Sequence, residues 1–236
     1  MKRGRHGDAA QSLFEEPDQF NVRVKICGLT CVDEAVACVQ AGADLIGLNF
    51  HSGSSRFVDL SRAREIIAAI ARPAQAVGLF VNRPAEEVAR IADQLGLVYL
   101  QLHGDEPPAD LRVLDRFWII RAFRLGSVAD IGAMNDYLER ARATGRSPDA
   151  VLVDAHAPGR VGGTATLVAE DVLAEIPPLP RLILAGGLTP ENVAERVARA
   201  HPWMVDVASG VESSPGRKDP AKVAAFIQAA RRTPLG

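Results

Sequence analysis

From Val22 onward the chain alternates between two hydrophobic periods. Short runs repeat every second residue, the pattern of a strand with one face inward. Residues 22–27 read V-R-V-K-I-C, and comparable runs fall at 44–50, 75–82, 97–104, 117–123, 150–154, 181–187 and 203–210. Between them, apolar positions three and four apart predict helices near 32–41, 61–71, 84–95, 128–143, 167–176 and 220–231. A short helix is expected after Pro107 and Pro108, and another after Thr189 and Pro190. Eight strands alternating with eight helices imply a parallel sheet closed on itself. The expected fold is therefore a single (β/α)8 barrel of the α/β class, a TIM barrel with its chemistry at the C-terminal strand tips. Residues 1–20 share none of this periodicity. They are expected to form a flexible extension to a barrel domain over 21–236, and deleting residues 1–16 is expected to leave stability nearly unchanged.

The phase of each strand assigns the side chains inside the barrel. These are Arg23, Lys25 and Cys27 in the first strand, Tyr99, Gln101 and His103 in the fourth, Leu152 and Asp154 in the sixth, and Asp206 and Ala208 in the eighth. Arg121 in the fifth strand is assigned to the same side, lending positive charge near an acidic substrate. Lys25 and Asp206 lie on strands that meet at barrel closure, which predicts a buried ion pair. Thr30 is placed to cap the first helix, and Asp105 and Glu106 to cap the short fourth one.

Composition narrows the classes of partner. The 236 residues are 47% hydrophobic and 24% charged with a net charge of −2, which argues against nucleic acid or a membrane surface as the main partner. No apolar run approaches the roughly 20 residues of a membrane span. The basic start lacks the apolar core of a secretion signal, and the cysteines suit a reducing, cytoplasmic setting. Monomer and homodimer both remain open.

Cys27, Cys31 and Cys38 have neither the spacing of paired zinc ligands nor that of iron–sulfur radical barrels, so no metal site is expected. Cys31 and Cys38 read as small packing residues. Cys27 ends the first strand, a position compatible with either packing or catalysis. A second signal lies in two glycine-bearing loops, Gly186-Gly187 after the seventh strand and Ser209-Gly210 after the eighth. Barrels often hold a phosphate between these two loops, so the expected ligand is a phosphorylated small molecule.

Seven segments then carry a resemblance: KICGLT (25–30), VGLFVN (77–82), QLHGDE (101–106), LVD (152–154), LAGGLTPENV (184–193), VDVASGVE (205–212) and GRKD (216–219). In order and spacing they resemble the phosphoribosylanthranilate isomerases of tryptophan biosynthesis. The resemblance implies an Amadori rearrangement of N-(5′-phosphoribosyl)anthranilate to 1-(2-carboxyphenylamino)-1-deoxyribulose 5-phosphate, with no cofactor. It implies Cys27 as general base, Asp154 as general acid, and Arg56 facing the anthranilate carboxylate. Of the substrate-facing residues, His103 at a strand tip is expected to orient groups or bond a loop, and Gln101 to hydrogen-bond inside the site. Gly162, Gly163, Gly186, Gly187, Ser209 and Gly210 fall in the phosphate loops.

Two stretches depart from the family pattern. The family carries GG[TS]G and then a Phe-Asp-Trp segment after the sixth strand, where this chain reads GGTA and TLVAED. The loop HSGSSRFV lacks the proline and second basic residue often found before the arginine. These departures leave two alternatives to the isomerase: a paralogue acting on a related aminoaldose phosphate, or a non-catalytic barrel that binds a sugar phosphate.

Overall fold

The computed structural model describes Leu13 and residues 22–70, 76–155, 167–179 and 181–232. Eight parallel strands close into a barrel in sequence order. They are β1 (Arg23–Cys27), β2 (Leu45–Asn49), β3 (Ala76–Phe80), β4 (Tyr99–Leu102), β5 (Trp118–Leu125), β6 (Ala150–Ala155), β7 (Leu182–Leu184) and β8 (Met204–Val207). The helices between and after them are α1 (Val32–Gln40), α2 (Leu60–Ala69), α3 (Ala85–Leu95), α4 (Asp110–Val113), α5 (Val128–Ala143), α6 (Glu170–Ala174), α7 (Val193–Ala200) and α8 (Pro220–Arg231). The expected barrel is thus the observed one, and α5 has the bounds its periodicity predicts.

Local chemistry sets several element ends. Asp59 accepts a hydrogen bond from the Arg62 amide, and Asp219 accepts from the amides of Ala221 and Lys222, so each caps the helix that follows. Ser127 donates its amide to Asp130 Oδ2 at 2.8 Å at the start of α5. Gly96 ends α3 in the left-handed conformation, where a side chain would strain the turn. Thr30 does not cap α1. Cys31 occupies the cap position in extended conformation, and the Thr30 hydroxyl instead donates to the Gly216 carbonyl at 2.7 Å.

Strand alternation divides the core into two layers. Val24, Ile26, Ile46, Leu48, Phe80 and Leu100 face the helices, while Leu45, Val77, Tyr99, Ile120, Leu152, Ile183 and Met204 fill the barrel interior. Strand pairing closes β1 against β8 with Lys25 opposite Asp206. Their side chains meet at 2.9 Å inside the barrel, which is the expected buried pair.

Two features fall outside the regular alternation. After a 3₁₀ turn at Ser209–Val211, β9 (Glu212–Ser214) and β10 (Arg217–Lys218) form a small antiparallel hairpin before α8. The second concerns the chain before β1, most of which lies outside the described residues. Leu13 packs against the interior cluster beside Trp118 and Trp203, and its amide donates to Tyr99 Oη at 3.2 Å. This contact runs against the expected indifference of stability to the segment. Leu13→Asp places a charge on that apolar surface and is expected to lower the melting temperature by about 2–4 °C, the effect of about 1 kcal/mol in a chain this size. Thermal unfolding followed by circular dichroism measures it, and an unchanged midpoint would show that the contact contributes nothing.

Candidate active site

The C-terminal strand tips surround one cavity. Cys27, Gly28, Asn49, Arg56, Gln101, His103, Asp154, Gly186, Gly187, Asp206, Ser209 and Gly210 are among its lining residues. Nine residues singled out from the sequence are therefore brought together: Cys27, Arg56, Gln101, His103, Asp154, Gly186, Gly187, Ser209 and Gly210. Gly162 and Gly163 lie outside the described residues.

Cys27 ends β1 with only 7% of its surface exposed. Burial pushes its thiol above the ordinary value, and Asp206 adds to that, while Lys25 and Lys218 pull it back. Burial disfavours charge on Lys25 too, yet Asp206 and then Cys27 outweigh it and hold the side chain as an ammonium. A cation thus sits beside the thiol, its charge balanced by Asp206 across the closure of the barrel. Cys38 has no such role, since burial raises its thiol to about 12 and it packs in the outer core.

The same cavity is lined by Asp154 on β6, by Gln101 on β4 and by His103 just past the end of β4. The amide nitrogen of Gln101 lies 2.8 Å from His103 Nδ1. With that nitrogen accepting, the ring carries its proton on Nε2, 3.6 Å from Asp154 Oδ2. Gln101 thus hydrogen-bonds inside the cavity to the ring that faces the carboxylate.

The β7 and β8 loops approach through their backbones. A Cβ on Gly210 would run into the Leu188 carbonyl, and one on Gly186 would come within 2.7 Å of Asp154 Oδ1. These glycines let two loops and the carboxylate share one rim.

Arg121 is a correction. Ile120 and Ala122 fill the barrel interior, so Arg121 falls on the opposite face of β5, toward the helices. There it donates to the carbonyls of Leu102, Ala122 and Gly104 and lies over the rings of Phe123 and Tyr137. Glu106 is another. Rather than capping α4, its buried carboxylate takes the amides of Asn82 and Gly104 and stands 3.3 Å from Arg121 Nη1. The Asp105 amide donates to Asn82 Oδ1, and no side chain caps α4.

Sequence reasoning missed Asn49, His51 and Ser54 on the cavity wall. Asn49 shares the inward phase of Leu45, which was the available signal. It orders the following loop by donating to Ser54 Oγ at 3.1 Å and accepting from the His51 amide at 2.8 Å.

Comparison with known proteins decides the family. The model of N-(5′-phosphoribosyl)anthranilate (PRA) isomerase matches residues 24–229. The chain belongs to the phosphoribosylanthranilate isomerase family. The isomerase of Geobacter metallireducens is 42% identical over 210 residues, covering 89% of this chain and 99% of its own. The crystal structure of the Thermotoga maritima isomerase superposes with a TM-score of 0.77 at 33% identity, covering 89% of this chain and 98% of that one. A further isomerase structure, in complex with reduced 1-(o-carboxyphenylamino)-1-deoxyribulose 5-phosphate, has a TM-score of 0.73 at 32% identity and covers 89% of this chain and 98% of that one. Among the described residues, no helix is long and apolar enough to cross a membrane.

Proposed function

We propose that this barrel carries out its family's isomerisation with Cys27 as general base and Asp154 as general acid. The reaction is the Amadori rearrangement of N-(5′-phosphoribosyl)anthranilate, a step of tryptophan biosynthesis. Asp154 in its acid form protonates the furanose ring oxygen, and the anilino nitrogen pushes open the C1′–O bond to give a Schiff base. The Cys27 thiolate then takes the C2′ proton, leaving an enolamine that tautomerises to the ketone. Protons balance: the former ring oxygen and C1′ each gain one, while C2′ and its hydroxyl each lose one.

The observation that carries this reading is the shared cavity, with a thiol beside an ammonium on one wall and a carboxylate beside an oriented imidazole on another. The substrate's phosphate is assigned to the loops bearing Gly186, Gly187, Ser209 and Gly210, and to Gly162 and Gly163 by family likeness alone. Its anthranilate carboxylate is assigned to Arg56. This orientation stretches the ribose between Cys27 and Asp154. The site uses no cofactor in this scheme. As the enzyme of a biosynthetic pathway, the protein is assigned to the cytoplasm, with residues 21–236 as the catalytic domain.

The test is growth. Expression of the chain in a tryptophan auxotroph lacking this isomerase is expected to restore growth without added tryptophan. Soluble protein without growth would move the assignment to a related aminoaldose phosphate.

A further inference from the structure

The segments VDVASGVE and GRKD contain two buried charges that the chemistry above does not use, Glu212 and Lys218. Glu212 opens β9 and Lys218 ends β10, and their side chains are 5% and 1% exposed. Burying an acid and a base at the rim of a cavity is costly unless each is well paired. Here the pairing is extensive. Glu212 Oε1 accepts from Arg56 Nε and Oε2 from Arg56 Nη2, both at 2.7 Å. Lys218 Nζ donates to Glu212 Oε1 at 2.8 Å and to the Ala208 carbonyl at 2.9 Å. Burial lowers the Lys218 ammonium below its ordinary value although Glu212 supports it. Burial likewise opposes charge on Glu212, but Arg56 and Lys218 outweigh it and hold the carboxyl ionised.

The hairpin that carries these residues is fastened in turn. Glu34 on α1 accepts from Arg217 Nε at 2.6 Å and from the Lys218 amide at 2.9 Å. The Gly216 carbonyl takes the Thr30 hydroxyl, and Lys222 Nζ reaches the Glu212 carbonyl at 3.0 Å. On the other side, the stem of Arg56 lies against Gly28, where any side chain would collide with it. The loops after β1, β2 and β8 therefore meet at one arginine side chain.

From this geometry we infer that Glu212, braced by Lys218, is a positioning residue that clamps Arg56 for recognition of the substrate's aromatic carboxylate. The clamp occupies Nε and one face of Nη2. Nη1 makes no hydrogen bond among the described residues, and Arg56 lines the cavity. Two cations against one carboxylate leave this corner with a net positive charge suited to an anion. A long arginine normally loses rotamer freedom when it binds, and the clamp removes that loss in advance. The inference rests on the assignment of Arg56 to the anthranilate carboxylate.

Two ligands test it by calorimetry: reduced 1-(o-carboxyphenylamino)-1-deoxyribulose 5-phosphate, and the same compound without its ring carboxylate. Glu212→Gln is expected to weaken the first by about 10–100-fold, the scale of a misplaced binding group, while leaving the second nearly unchanged. KM should rise more than kcat falls. Combining Glu212→Gln with Arg56→Ala should add nothing beyond Arg56→Ala alone. Equal weakening of both ligands, or additive losses, would mean that Glu212 only holds the rim together, and the clamp would be rejected. If Arg56→Ala itself fails to distinguish the two ligands, the assignment of Arg56 falls and the clamp with it. Should Glu212→Gln not fold, Glu212→Asp keeps the charge but shortens the reach. It is expected to discriminate between the ligands in the same direction.

Discussion

Cys27→Ser is expected to reduce turnover by at least about 10²–10⁴-fold, the usual contribution of a general base, while the product analogue binds almost as tightly as before. The two side chains differ little in volume, so the barrel should fold unchanged. What changes is ionisation: a thiol beside Lys25 ionises far more readily than a serine hydroxyl, which supplies almost no anion near neutrality. The pH profile carries a second signature. Burial holds the Cys27 thiol above its ordinary value in the folded protein. Below that value the group is protonated and idle as a base, and above it the thiolate dominates. Once the ring is open, the proton-abstraction step is therefore expected to quicken as pH rises toward the elevated value, by up to about tenfold per unit. Cys27→Ser should lose that limb. Near-normal turnover in the serine variant would make the cysteine a packing residue and require another base.

Much of this site is legible in the sequence because a closed barrel turns strand phase into direction. Once Val24 and Ile26 are assigned to the helix layer, Lys25 and Cys27 point inward. The same logic places Gln101, His103, Asp154 and Asp206. It fails at β5, where both phases contain large apolar groups: Trp118 and Ile120 on one face, Phe117 and Ile119 on the other. Phase alone therefore assigns Arg121 to the wrong side. Its real environment depends on Glu106, Phe123 and Tyr137, which reach it through tertiary packing.

The hairpin of β9 and β10 was hidden for a different reason. Its strands are too short to show a period, and nothing in the spacing of Glu34, Glu212 and Lys218 marks them as the charges that fasten it. Only their partners reveal them as buried. Leu13 is a similar case, since the adjacent apolar pair Leu13 and Phe14 in a polar stretch carries no periodic signal. Its contact with Tyr99 depends on the open end of the barrel, which no local pattern encodes.

Asp154→Asn is expected to match the loss of Cys27→Ser in size but to differ from it in kind. The amide has the shape of the carboxylate and can still face His103 Nε2 through its oxygen, so binding should survive. It cannot deliver a proton to the ring oxygen, and turnover should fall by about 10²–10⁴-fold. The two variants block successive steps, which an isotope separates. With substrate deuterated at C2′, Cys27→Ser makes abstraction of that proton limiting and should show a large primary isotope effect. Asp154→Asn makes ring opening limiting, before the C2′ bond is touched, and the effect should nearly vanish. A full isotope effect in Asp154→Asn would place the carboxylate at the abstraction step rather than at ring opening. In that event the acid would have to be sought at His103, whose Nε2 lies 3.6 Å from Asp154 Oδ2.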